Sequence, residues 1–238
     1  MFLQVLEEMS ENSKQRIDAV MKAFRLTFDA PVNYDLKTMP SNMDFLNMAD
    51  ESVRRLVKMA KHLEFFQRLD QDDQITLLKG AVLEVLVLRS AKMFDSRGKS
   101  WSVQKDGEQK SVSAMGLQLG DNEDAHFMQQ YQHFVMTLLT ATMRDNVILM
   151  ILMVMTLFSP DRGRLARKDM VVEAQEEYAS ILKEYCERRY PKEKLMFARI
   201  LQKLADIRDI SETHSKMLLH YKSDDLVPLI VEIFNLSR

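Results

Sequence analysis

The run ITLLKGAVLEVLVLRSAKMF, from Ile75 to Phe94, is apolar almost without interruption. A helix that is apolar all round belongs in the middle of a protein, covered on every side. The stretch before it, Asp70 to Gln74, supplies the acids that favour a helix start, because a helix N-terminus carries partial positive charge. Lys79, Glu84 and Arg89 interrupt the run. Glu84 and Arg89 stand five apart, which is too far round a helix for an ideal pair, so each is expected to look elsewhere.

Upstream, Asn47 to Leu69 reads as a helix with two stripes. One carries Met48, Ser52, Arg55, Met59, Leu63 and Phe66, and the other Val53, Val57, Lys61 and Glu64. Such a helix lies between the core and something else. Arg55 falls on the Met-lined stripe, and arginine is rarely buried unless it has a partner. Two readings stand side by side there: a pair with a protein carboxylate, or an anchor for an anionic or carbonyl-bearing ligand. Arg89 is a second arginine in apolar surroundings.

Downstream, residues 99–113 change character. Asp106-Gly107 is a hairpin signal between short strand candidates at Ser102-Val103 and Ser111 to Ser113. Trp101 is the single tryptophan. Helices are expected over Asp121 to Thr142, Asn146 to Phe158, Lys168 to Tyr190 and Lys192 to Tyr221, and another over residues 1–28. Asn146 to Phe158 is apolar all round, a second central helix. The last of the four would be about 45 Å long if unbroken, with a stripe of Leu195, Ile200, Leu201, Leu204 and Ile207. Residues 29–45, with Pro31 and Pro40, read as a long loop, and loops of that length are often functional.

The chain ends in a short amphipathic segment, about residues 225–235. Asp224 and Asp225 can cap it, Pro228 sits in the first turn, and Leu229, Ile230, Ile233 and Phe234 form a stripe beside Glu232. A helix this short is marginal unless it docks. It either completes the core or docks reversibly.

Bulk properties narrow the class. The chain has 238 residues, 46% of them hydrophobic and 29% charged, with net charge −2, an ordinary globular balance. That charge gives no support for nucleic acid or membrane as the main partner. The single Cys186 excludes a disulfide framework and a cysteine-rich zinc site, and fits a reducing compartment. The acidic start Met1 to Met9 lacks the basic flank of a secretory signal. The longest apolar run, Val147 to Phe158, falls short of the roughly 20 residues that span a bilayer. Six glycines and five prolines leave helices largely uninterrupted. Eighteen methionines suit either a helical core or an adaptable cavity. No phosphate-binding glycine loop, zinc-protease or nucleophile-elbow motif occurs, and the histidines lack metal-ligand spacing, so neither catalytic nor metal-binding residues nor a cofactor are expected. The sum is an all-α domain of about ten helices with one small hairpin, its central helices covered on both sides.

Several stretches together resemble the ligand-binding domains of nuclear receptors. FFQRLDQDDQITLLKGAVLEVLVLRSAKMF (Phe65 to Phe94) with Trp101 after it resembles the family's signature helices. SPDR (Ser159 to Arg162) resembles the loop after its eighth helix. LQKLADIRDISETHSK (Leu201 to Lys216) and LVPLIVEIF (Leu226 to Phe234) resemble the tenth and eleventh helices and the activation helix. The similarity is to the vitamin D receptor branch, which includes the nematode dauer-formation receptor, and covers essentially residues 1–238. It implies a three-layer antiparallel sandwich of ten to twelve helices and a nuclear transcription regulator whose zinc-containing DNA-binding domain is absent from this chain.

The resemblance also assigns two faces. Val57, Lys61, Ile75, Leu78, Lys79, Leu229 and Glu232 match the groove that takes an LxxLL coactivator helix. There Lys61 would face the peptide's C-terminal carbonyls and Glu232 its N-terminal amides, as helix dipoles favour. Met48, Ser52, Arg55, Met59, Arg89, Met93, Trp101 and His214 match the lining of the ligand pocket. Arg55 departs from the vitamin D receptor pattern. A second arginine points to a sterol-derived carboxylic acid of the bile-acid type, held by two guanidinium groups; the alternative is a ligand-independent scaffold whose pocket is filled by side chains. The long helix and SPDR imply a heterodimer with a retinoid X receptor or its invertebrate counterpart.

Overall fold

The computed structural model describes residues 2–29, 42–95, 100–105, 108–113, 122–218 and 228–233. Among the described residues the chain forms α1 (Phe2–Glu7), α2 (Glu11–Thr27), α3 (Asn42–Ala60), α4 (Glu64–Gln67) and α5 (Gln71–Lys92). Strands β1 (Phe94–Asp95), β2 (Ser100–Lys105) and β3 (Glu108–Ser113) follow. The second half is α6 (Asn122–Ala141), α7 (Asn146–Leu157), α8 (Lys168–Arg189), α9 (Met196–Leu218) and α10 (Pro228–Ile233).

The two apolar runs are the middle of the molecule. Every residue of α7 from Val147 to Leu157 is buried, with Asp145 capping the helix by accepting from the N–H of Val147. Helix α5 packs against α3, α6, α7, α9 and α10, and α7 packs against α2, α5 and α8. Helices α2 and α3 cover one side of this centre and α6 and α9 the other, the three-layer sandwich expected of an all-α chain with two fully apolar helices. No single helix among the described residues is long and apolar enough to cross a membrane.

Four boundaries differ from the sequence reading, each for a local reason. The helix expected over residues 1–28 is two helices. Ser10 breaks it, accepting from the N–H of Ser13 at 3.2 Å as the N-cap of α2, while its own N–H and the Ser13 hydroxyl donate to Glu184 at 3.0 and 2.6 Å. The helix expected from Asn47 to Leu69 starts at Asn42 and stops at Ala60. Gln67 Nε2 donates to the Lys61 carbonyl at 2.7 Å and stabilises the turn that separates α3 from α4. Helix α5 ends at Lys92, and Phe94 turns into a strand. The helix expected from Lys192 begins at Met196.

The stripe on that last helix is divided between core and edge. Ile200 and Ile207 are fully buried, because α9 packs on α5, α6 and α8. Leu201 and Leu204 are half-buried against the core, and Leu195 is exposed ahead of the helix. The stripe is therefore mainly core.

The hairpin pairs antiparallel from Ser100↔Ser113 to Lys105↔Glu108, with β1 added alongside to make a three-stranded sheet in the order β1-β2-β3. The Asp106-Gly107 turn, most of the loop read at 29–45 and the caps Asp224 and Asp225 lie outside the described residues.

Candidate ligand and partner sites

Helix α2 is closed by its C-cap residue Phe28, which is buried to 3% exposure. Carbonyls at a helix C-terminus lack intrahelical partners and carry the negative end of the dipole. Two arginines take up that position. Arg55 of α3, 6% exposed, donates from Nη1 to the Phe28 carbonyl at 3.1 Å. Arg89 of α5 donates from Nη2 to the same oxygen at 3.1 Å. The Arg89 guanidinium also lies over the Phe28 ring, 4.4 Å from its centre, within cation–π range. Nε of Arg55 donates to Glu51 Oε1 at 2.8 Å, so the protein-carboxylate partner is present one helical turn back. Beside them Lys92 pairs with Asp29 at 2.8 Å.

The other residues read as pocket lining come from α3, the end of α5, β2 and α9. Met59 is fully buried on α3, while Ser52 and Met93 are half-buried. Met48 lies on α3, His214 on α9 and Trp101 on β2, and their side chains lie outside the described residues. Trp101 is opposite Phe94 in the β1–β2 register, so the strand that carries it starts where α5 stops. One polar contact sits nearby: Ser90 Oγ and Tyr131 Oη are 2.5 Å apart, joining α5 to α6. Burial pushes the Tyr131 hydroxyl up to about 12 against the pull of Ser90, so it stays protonated.

On the outer side, α10 packs against α3 and α5. Val57 and Leu229 are half-buried, Leu78 is buried, and Ile75, Lys61 and Glu232 are exposed; Lys79 is half-buried. Ile233 points inward, at 8% exposure. Gln74 Nε2 donates to the carbonyls of Phe66 and Leu69 at 2.9 and 3.0 Å, tying the start of α5 to the end of α4 and fixing where Ile75 and Leu78 stand relative to Lys61. Val53, read on the outer stripe, is fully buried.

Glu84 finds its partner away from α5, as its spacing from Arg89 suggested. It pairs with Arg162 of the turn before α8. Burial raises the Glu84 carboxyl above its ordinary value, and Arg162 pulls it back only in part. Arg208 of α9 pairs with Asp161 through two bonds, at 2.5 and 3.0 Å, and this pairing lowers the Asp161 carboxyl despite some burial. These four side chains, with Lys79, Ser211 and Ile233, line a cleft of about 370 Å³. The cleft lies beside α10, apart from Arg55 and Arg89.

Two residues at the arginine site went unread. Glu51 had a signal, since an acid four residues before a base on one helix is a favourable pair. Phe28 had none, because it acts through its main chain.

With this geometry in hand, the chain can be set against known proteins. The family model for the ligand-binding domain of nuclear hormone receptors matches residues 35–222. The chain is 26% identical to the nuclear hormone receptor HR96 of Drosophila melanogaster over 100% of its length and 33% of that protein. It is 30% identical to the vitamin D3 receptor of Xenopus laevis, covering 84% of this chain and 48% of the relative. For the vitamin D3 receptor of Gallus gallus the identity is 29%, over 85% and 46%. The chain therefore belongs to the nuclear hormone receptor ligand-binding domains, and its similarity is to the branch of HR96 and the vitamin D receptors. Members of this family are ligand-regulated transcription factors of the nucleus, not enzymes. The chain spans between a third and a half of the length of these relatives.

Proposed function

We propose that this domain, residues 1–238, binds a sterol-derived carboxylic acid of the bile-acid type, with the acid end at Arg55 and Arg89. The single observation that carries the reading is the convergence of two guanidinium groups, one of them almost wholly buried, on one oxygen. Guanidinium groups brought together from two helices are the donor set that a carboxylate takes in charge-assisted bonds. Met48, Ser52, Met59, Met93 and Trp101 would line the body of the pocket and His214 its far end, and methionines adapt to a rigid ring system.

The bound acid would favour the docked position of α10. Val57, Ile75, Leu78 and Leu229 would then hold the leucines of an LxxLL coactivator helix between Lys61 and Glu232, with Lys79 at the rim. In the longer protein this unit would regulate transcription through a separate DNA-binding domain, as a heterodimer with a retinoid X receptor-like partner. The test is binding of a steroidal acid and its methyl ester to wild type and Arg55→Ala. The acid should bind wild type at least tenfold more tightly than the ester, and Arg55→Ala should erase the difference. Equal affinities in all four combinations would reject the proposal.

A second reading is supported by the same carbonyl. Because Phe28 already engages both arginines and Met59 is fully buried, the domain could act without ligand, its pocket filled by side chains. Mass spectrometry of the purified domain separates the two: a stoichiometric sterol acid favours the first, and its absence together with undiminished LxxLL-peptide binding favours the second.

A further inference from the structure

We infer that the cleft beside α10 is a second ligand site, separate from Arg55 and Arg89, for a neutral small molecule that carries hydroxyl groups on an apolar body. Its volume of about 370 Å³ lies within the range of roughly 300–1,000 Å³ that small-molecule sites occupy. Ser211 of α9 lines it and is 7% exposed, and its hydroxyl has no hydrogen-bond partner. Helical serines and threonines can donate back to a carbonyl three or four residues earlier, as Thr137, Thr140 and Thr213 do. Ser211 does not, although it stands two residues before Thr213 on the same helix. Arg162 lines the same cleft, and its buried Nε has no partner either. The stem of Arg162 lies against Gly80, where a Cβ would come within 2.6 Å of the arginine Cδ, so this wall is closely built. Buried polar groups left unpaired are costly. A ligand hydroxyl, which both donates and accepts, suits the two of them. A serine re-aims its oxygen by rotating one bond between staggered positions, so a bound group can claim it.

The charges on the walls decide against an ion. Glu84 pairs with Arg162 and Asp161 with Arg208, and Lys79 and Glu212 are of opposite sign. A cation or an anion entering the cleft meets a like charge and competes with a pair already made, whereas Leu83 and Ile233 offer apolar surface. Ile233 belongs to α10. A molecule that fills the cleft therefore favours the docked helix, and its binding is coupled to that of an LxxLL peptide. Only this coupling rests on the proposed reading of α10 as the coactivator helix.

The probes are 3-phenylpropane-1,2-diol, its carboxylate counterpart 3-phenyllactate and its ammonium counterpart phenylalaninol. Each is titrated into the whole chain while the methyl signals of Leu83 and Ile233 are followed by NMR. The diol should give saturable shifts and bind about fivefold more tightly than either charged counterpart. Ser211→Ala should weaken the diol about fivefold, the effect of one hydrogen bond, and leave the melting temperature unchanged, because the hydroxyl holds nothing in the free protein. Saturating diol should raise LxxLL-peptide affinity about twofold or more. Absence of saturable shifts means that the cleft holds only water and overturns the proposal. Equal affinity for the three probes, or undiminished diol binding by Ser211→Ala, overturns it as well. A peptide bound equally with and without diol overturns the coupling to α10. If the peptide binds under neither condition, the coactivator reading fails instead, and the methyl shifts alone decide the cleft.

Discussion

Arg55 and Arg89 share one acceptor: each donates to the carbonyl oxygen of Phe28 at 3.1 Å, one from α3 and the other from α5. The shared oxygen makes the two arginines energetically dependent. Removing either relieves their mutual repulsion and leaves the carbonyl with one of these donors. Removing both gains no further relief and takes both donors from the carbonyl. The double substitution Arg55→Met/Arg89→Met should therefore cost more stability than the sum of the two single ones, by about 0.5–2 kcal/mol. Urea denaturation of the four proteins without added ligand measures it. A sum equal to the double within about 0.3 kcal/mol would mean that the arginines act independently.

The position of Arg55 was readable and its environment was not. Helical periodicity alone placed Arg55 beside Met59 on one face, and the fourfold spacing from Glu51 marks the ion pair. The Phe28 carbonyl, however, belongs to a helix end 27 residues away in sequence, and a main-chain atom leaves no trace in residue identity. Glu84 shows the same limit. Its distance from Arg89 ruled out one partner, but nothing in the sequence selects Arg162 among the cations. The central helices were legible because a run apolar on all sides has only one place to go. The breaks at Ser10 and after Ala60 were not, because no Gly or Pro marks them; the first depends on contacts with Glu184 and the second on the Gln67 side chain.

Glu232 is exposed on α10 while Ile233, its neighbour, is buried. That division separates docking of the helix from partner binding. Glu232→Ala should weaken LxxLL-peptide binding at least tenfold and leave steroidal-acid affinity and melting temperature within error of wild type. Ile233→Ala should lower both, since it removes buried apolar surface where α10 meets the body. Fluorescence polarisation with a labelled LxxLL peptide reads the first effect. Equal loss of peptide and acid binding in Glu232→Ala would make the helix purely structural.

Arg162 offsets the burial of Glu84, and this has a defined pH signature. The Glu84 carboxyl is raised, chiefly by burial, with Arg162 opposing. A raised acid contributes stability that is present below the ordinary carboxylate range and lost as pH rises through the folded value. Arg162→Met deepens that loss by leaving the buried carboxylate without its partner, at a cost of about 3–5 kcal/mol near pH 7.5. The deficit should shrink as pH falls towards 5, because any proton that Glu84 takes up removes uncompensated buried charge. Glu84→Gln/Arg162→Met should recover part of the loss and show a flat dependence. Denaturation midpoints at both pH values decide it; a deficit that does not change with pH would place the effect in packing rather than charge.

Asp73 anchors the entry to a helix far from its own. It is 2% exposed on α5, and its carboxylate accepts from the N–H groups of Ala166 at 2.8 Å and Arg167 at 2.7 Å, at the start of α8. Arg167 itself gives α8 no side-chain cap, and Asp73 instead holds the two residues that lead into the helix, placing negative charge near its N-terminus as the dipole favours. Asp73→Asn keeps one oxygen, turns an NH₂ towards a donor, and should cost about 2–3 kcal/mol, within the range for hydrogen bonds to a charged group. Asp70→Ala, which removes only the exposed local cap of α5, should cost about 1 kcal/mol. Amide hydrogen exchange locates the difference. Asp73→Asn should accelerate exchange at Ala166 and Arg167 and in the first turn of α8, whereas Asp70→Ala should affect Asp73 and the first turn of α5. If Asp73→Asn left exchange at Ala166 and Arg167 unchanged, the two helices would be held together by packing alone.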